Sequence, residues 1–138
     1  MSQNALASTP LYYDDGSNEQ DWFVGTPPYF VGVEFVLADF GLSSPKKVLN
    51  VAFYISITYE PNKDVKIHVT DAALNDLLVL PLTHPSTVGW WTIDISSYNV
   101  IVTGDFYVFW EAFAANTALP ALDSADPDHP RYYSSSTL

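Results

Sequence analysis

The residues best suited to chemistry in this chain are carboxylates gathered in two places. Asp14, Asp15, Glu19 and Asp21 stand close together near the start, and Asp123, Asp126 and Asp128 near the end. Carboxylate oxygens are the ligands a hard cation such as Ca²⁺ selects, usually six to eight oxygens at a time. Neither group has the spacing of a helix-loop-helix calcium loop, so a complete shell requires both. The first and last strands of antiparallel sandwiches often neighbour one another, and that arrangement predicts convergence of the two groups on one oxygen-rich site. A bound cation would offset the repulsion between them. The same residues serve equally as turn formers, because Asp bonds its own backbone, and both readings stand at this level.

Aromatic residues form the second candidate set. Trp22, Trp90, Trp91, Tyr132 and Tyr133 sit at or beside expected loops. In an alternating strand at least one of Trp90 and Trp91 must face outward. A flat exposed ring stacks on the apolar face of a sugar, with neighbouring carboxylates or Asn bonding hydroxyls. Burial under a loop or a second subunit is the competing account, since tryptophan is usually mostly covered. Glu34 and Glu111, both mid-strand, are the pair that glycoside hydrolysis would require, one as acid and the other as nucleophile or base. Solvent-facing positions at opposite ends of the fold are expected for them instead. His68, His84 and His129 are scattered without HExxH spacing, and no GxSxG, P-loop or GxGxxG is present. The expectation is therefore a protein that is not an enzyme.

The elements that position these residues read as β throughout. Tyr29 to Leu37 alternates, with Tyr29, Val31, Val33, Phe35 and Leu37 on one face. Val48 to Thr58 repeats the pattern with Leu49, Val51, Phe53, Ile55 and Ile57 inward. Val65, Ile67 and Val69 alternate with Lys66, His68 and Thr70, predicting a wet outer face. Leu77 to Leu82 reads as a mostly buried strand. Trp91, Ile93 and Ile95 oppose Trp90, Thr92 and Asp94, and residues 98–103 predict a short edge strand. Phe106 to Phe113 is apolar on both faces, as a central covered strand would be. Residues 116–130 are rich in Pro and Asp and read as a loop. Seven or eight short strands with turn chemistry between them predict an all-β, antiparallel two-sheet β-sandwich of jelly-roll or immunoglobulin-like type. Residues 1–11 read as a flexible tail and 12–138 as one domain.

Length and composition agree. A chain of 138 residues buries roughly two-thirds of its unfolded surface without staples. Cysteine is absent, which excludes disulfides, thiolate metal sites and cysteine nucleophiles. A net charge of -11 repels phosphate backbones and anionic lipid, so no nucleic-acid partner is expected. No apolar run reaches the roughly twenty residues of a helical membrane span. The opening MSQNALASTP has neither the basic region nor the apolar core of a signal peptide. A cytosolic protein, or an exported one whose leader is gone, would both begin this way. The lack of cysteine and the Ser, Thr, Tyr and Pro content favour export.

YYDDG at 12–16, GWWTIDISSYNVIVTGDFYVFWE at 89–111 and LDSADPDHPRYY at 122–133 together resemble a β-sandwich accessory or C-terminal module of large secreted or surface proteins of thermophilic archaea and some bacteria. The likeness covers most of the chain from Tyr12 onward. It implies an extracellular or cell-surface location and a non-enzymatic role, and it implies no catalytic residues. Such modules commonly carry a further aromatic strand after the Arg-Tyr segment, whereas this chain runs out at SSSTL.

Two functions are expected on these grounds. One is attachment of a parent protein to a polysaccharide or cell-surface component, stiffened by Ca²⁺. The other is a structural subunit of an extracellular assembly, joined to copies of itself by strand exchange or edge pairing.

Overall fold

The computed structural model describes residues 10–11, 20–21, 29–57, 64–85, 87–112, 119–122 and 132–135. In chain order the strands are β1 (Gln20–Asp21), β2 (Tyr29–Phe35), β3 (Lys46–Val48), β4 (Asn50–Ile57), β5 (Asp64–Asp71), β6 (Asp76–Thr83), β7 (Gly89–Asp94), β8 (Val100–Val102), β9 (Phe106–Ala112), β10 (Leu119–Leu122) and β11 (Tyr132–Ser135). Among the described residues the only helical turns are two 3-10 turns, Leu37–Phe40 and Ser96–Tyr98. The all-β expectation holds, and every strand pair is antiparallel.

Two larger sheets carry the fold. One has the order β11-β2-β9-β5-β6 and the other β1-β10-β4-β7, while β3 and β8 form a small third ladder. The larger sheets meet through alternate side chains. Trp110 of β9, wholly buried, contacts Phe53 of β4 edge to face at 5.4 Å and Trp91 of β7 at 5.8 Å. Around it lie Val31, Ile55, Val65, Ile67, Val69 and Ile93, inward positions of four other strands. This is the period-2 logic of a half-buried strand applied from both sides.

β9 is the central strand the sequence predicts. It pairs with β2 on one side and β5 on the other. Its second face is also covered, because Phe109 has no exposed surface. A Cβ at Gly32, the cross-strand partner of Phe109, would overlap both that ring and the Val108 carbonyl oxygen, so only glycine lets the ring lie flat there.

Several expectations are corrected. The strand read as Tyr29–Leu37 ends at Phe35, and Leu37 starts a 3-10 turn whose Leu37 N–H donates to Asp105 Oδ1 at 3.0 Å. The strand read as Val48–Thr58 is two strands, and Leu49, at the break between them, is exposed rather than inward. Leu77–Leu82 is not mostly buried. It belongs to β6 at a sheet edge, where among the described strands only β5 pairs with it, and Leu77 and Val79 are exposed. The outer face of β5 is not wet, because His68 and Thr70 are buried there under side chains from the flanking strands. Within the expected loop 116–130, Leu119–Leu122 forms β10 by pairing with β4. Ser134 and Ser135, the first residues of the closing SSSTL, belong to β11, which pairs with β2 from Tyr132 to Ser135.

Candidate functional site

Alternation along β7 divides its two tryptophans. Trp91 turns inward to Trp110, and Trp90 turns outward with 61% of its surface exposed. Gly89 immediately before them has φ 135, a conformation side-chain-bearing residues rarely adopt, and it sets the strand's entry angle. Trp90 is the cross-strand partner of Tyr54 on β4, and their rings meet edge to face at 5.5 Å and 81°. Thr92 faces Ala52 and Asp94 faces Asn50 on the same outer surface. The result is a row of three rungs with aromatic rings at one end and polar groups at the other. Successive rungs are about 7 Å apart at the rise of an antiparallel strand.

The polar end has a fixed charge. Asp94 Oδ1 accepts from the Ser96 hydroxyl at 2.6 Å and from the Ser96 N–H at 2.9 Å. These two bonds, the hydroxyl's first, hold its carboxyl below the usual value of 3.8. An open ring beside hydroxyl, amide and carboxylate groups can bind an amphipathic ligand, with a flat apolar face on Trp90 and polar edges toward Thr92, Asn50 and Asp94.

Of the other aromatic candidates, Trp91 is withdrawn from the ligand-binding set because its ring packs in the core against Trp110. Tyr132 and Tyr133 are the first two residues of β11, opposite Val33 and Gly32 of β2. Trp22 lies outside the described residues. So do Asp14, Asp15, Glu19, Asp123, Asp126 and Asp128; Asp21 is in β1, with its backbone opposite Ala121 of β10. Among the described residues no group of three or more His, Asp or Glu side chains is placed to hold a metal ion.

A second polar cluster escaped the sequence reading. On the outer face of the five-stranded sheet, His68 of β5 lies between Asp76 of β6 and Glu111 of β9. Nδ1 is 2.9 Å from Asp76 Oδ1, and Nε2 is 2.6 Å from Glu111 Oε1. The Phe30 ring stands edge-on to the imidazole at 5.5 Å. Glu34 accepts from the Tyr107 hydroxyl at 3.2 Å on the same face, and Tyr107 stacks on Phe109 at 5.3 Å. Alternation gave the only available signal, since it places His68, Glu111 and Glu34 on strand faces that must share one surface if β2, β9 and β5 are neighbours.

That cluster also corrects the expectation for the two glutamates. Glu34 and Glu111 are not at opposite ends of the fold but on one face of adjacent strands. Glu34 is opposite Tyr107 and Glu111 opposite Phe30, a four-residue offset of about 13 Å along the strand. Glycoside hydrolysis uses carboxyl pairs about 5 to 9.5 Å apart. His84, wholly buried, donates from Nδ1 to the Pro85 carbonyl at 2.9 Å and packs against Trp110.

No known protein family, curated protein or solved structure matches the chain. No described helix is long and apolar enough to cross a membrane.

Proposed function

We propose that this protein is a secreted, non-catalytic attachment module that binds a polysaccharide or other glycan-bearing surface on the outer face of β4 and β7. The observation that carries the reading is Trp90, an indole with 61% of its surface exposed, buttressed from one side by the ring of Tyr54. Leaving so large an apolar ring in water forgoes about 1.5–3 kcal/mol of burial that a stacked ligand would recover. The three-rung row then supplies polar partners in line with the ring, as an amphipathic chain of sugars requires.

Calcium belongs to the same proposal as a stiffening ion at the acidic segments. Its support is the pairing of Gln20–Asp21 with Leu122–Ala121, which joins the strand next to the first acidic group to the strand next to the second.

Depletion from solution by a panel of insoluble polysaccharides tests the module. The wild-type protein is expected to be retained on at least one, and Trp90→Ala to lose that retention while keeping the wild-type near-ultraviolet circular dichroism. Equal retention of Trp90→Ala, or retention on none of the panel, rejects the reading. For calcium, the expected result is a melting temperature raised by millimolar calcium over excess chelator, and equal values reject the ion.

A further inference from the structure

The five-stranded sheet ends in a strand with an open side. β6 is eight residues long, against six in β7, four in β11 and two in β1, the other strands at the edges of the two larger sheets. β5 pairs with one side of it, and among the described residues no strand pairs with the other. Leu77 through Leu82 carry no charge, in a chain whose net charge is -11. Leu77 and Val79 are each 41% exposed. Long apolar edges in monomeric proteins are commonly guarded by Lys, by Pro or by a bulge. Here Pro81 and the register shift near the start of β6 are the only guards within the strand.

Pro81 tells which backbone groups are free. It pairs with Lys66, and because it has no N–H to give β5, its nitrogen belongs on the side facing away. Antiparallel pairs alternate, so Val79, two residues earlier and opposite His68, also directs its N–H and C=O outward. Leu80 and Leu82 bond β5 instead. The open edge therefore offers the Val79 donor with the Val79 and Pro81 acceptors, flanked by apolar side chains on both faces of the strand. The Asp76–His68 contact holds the first residue of β6 onto the sheet, and from Leu78 to Thr83 the pairing with β5 runs in unbroken register.

We propose that β6 is a self-association edge, and that its occupant is β6 of a second copy of this chain, paired antiparallel about a two-fold axis. A strand added here sets its side chains against apolar neighbours on both faces, where a charged residue would lose water without a partner. The occupant must be apolar on both faces for several residues and have one side open. Among the described strands β9 has the composition but is paired on both sides, and β6 has both properties. The uncharged run also lets two strongly acidic copies approach without setting carboxylate against carboxylate. A two-fold contact is self-complementary and closes at a dimer. The proposal does not depend on Trp90, which lies on the other large sheet.

Sedimentation velocity over a range of concentrations, with amide hydrogen exchange at its two ends, tests this. The expected result is a monomer–dimer equilibrium in which the Val79 amide is protected in the dimer and loses that protection on dilution. The Leu80 amide, bonded to β5, stays protected in both. Val79→Lys is expected to be monomeric, with Val88→Lys and Trp90→Ala dimerising as the wild type does. A monomer at every concentration overturns the proposal. So does a dimer in which Val79 exchanges freely, whatever becomes of the lysine variant. Loss of dimerisation in Trp90→Ala would place the contact on the other sheet and overturn it as well.

Discussion

Gly32 lies directly under the ring of Phe109, and the absence of a side chain at one is the condition for burial of the other. The pair sits on the outer face of the five-stranded sheet, where a sandwich normally meets water, and it makes β9 a strand covered on both faces.

Gly32→Ala is accordingly expected to destabilise the protein by about 1–3 kcal/mol, because the added methyl meets a ring and a backbone carbonyl that cannot both withdraw. Chemical denaturation checks the value. A cost below about 0.5 kcal/mol would mean that Phe109 moves freely and that its face is not packed.

The adjacent tryptophans separate binding from stability. Trp90→Ala should change the midpoint of unfolding little, since exposed positions away from special features are usually near neutral. Trp91→Ala should cost about 3–5 kcal/mol through the space it leaves beside Trp110. Reversal of that order in thermal or denaturant unfolding would contradict the alternation of β7.

The contacts of His68 are unequal. Glu111 is 13% exposed at its side chain and Asp76 44%, so the His68–Glu111 contact is the better shielded from water. A double-mutant cycle with His68→Ala and Glu111→Ala should return a coupling of about 1.5–3 kcal/mol, and the cycle with Asp76→Ala about 1 kcal/mol or less. Equal couplings would show that burial does not set their strength.

Asp71 gives a pH dependence with a definite sign. Its carboxylate accepts from the Asn75 side chain at 3.0 Å and from the Asn75 and Ala73 N–H groups at 2.9 Å each, in the turn between β5 and β6. Those bonds, the Asn75 amide's first, lower its carboxyl below 3.8 in the folded protein. A depressed folded value means the stabilisation is complete above the unfolded value of about 3.9 and is lost as pH falls through the folded one. The stability gap between wild type and Asp71→Ala should be constant above about pH 5 and shrink as the solution is acidified below about pH 4. A gap that widens with acid would reverse the assignment.

What the sequence disclosed depended on whether a residue's surroundings are local. β9 was legible because Phe106, Val108 and Trp110 alternate with Tyr107 and Phe109, so both faces announce burial. β6 is as apolar, and the hydrophobic residues of Leu77–Leu82 do not say whether one or two strands will flank it. Pro81 was the available warning, since proline in a ladder is tolerated where its nitrogen has no bond to make. β10 and β11 were missed because Pro120 and Ser134 have low strand preference, and pairing with β4 and β2 overrides it. The Trp90 platform was half legible: alternation set Trp90 with Thr92 and Asp94, opposite Trp91, Ile93 and Ile95. Tyr54 beside it depended on the register between β4 and β7. The His68 cluster joins residues 8 and 43 positions apart, a relation that strand order alone creates.

Among the described tryptophans, Trp90 is the most exposed and Trp110 is wholly buried. Their ultraviolet emission therefore divides into a long-wavelength share from the open indole and a short-wavelength share from the sealed one. A soluble quencher should extinguish the first and spare the second, while Trp91, 5.8 Å from Trp110, exchanges excitation with it. Among the described tryptophans the emission is thus a two-colour optical gauge, one colour reading the surroundings of the outer face of β7 and the other the integrity of the interior.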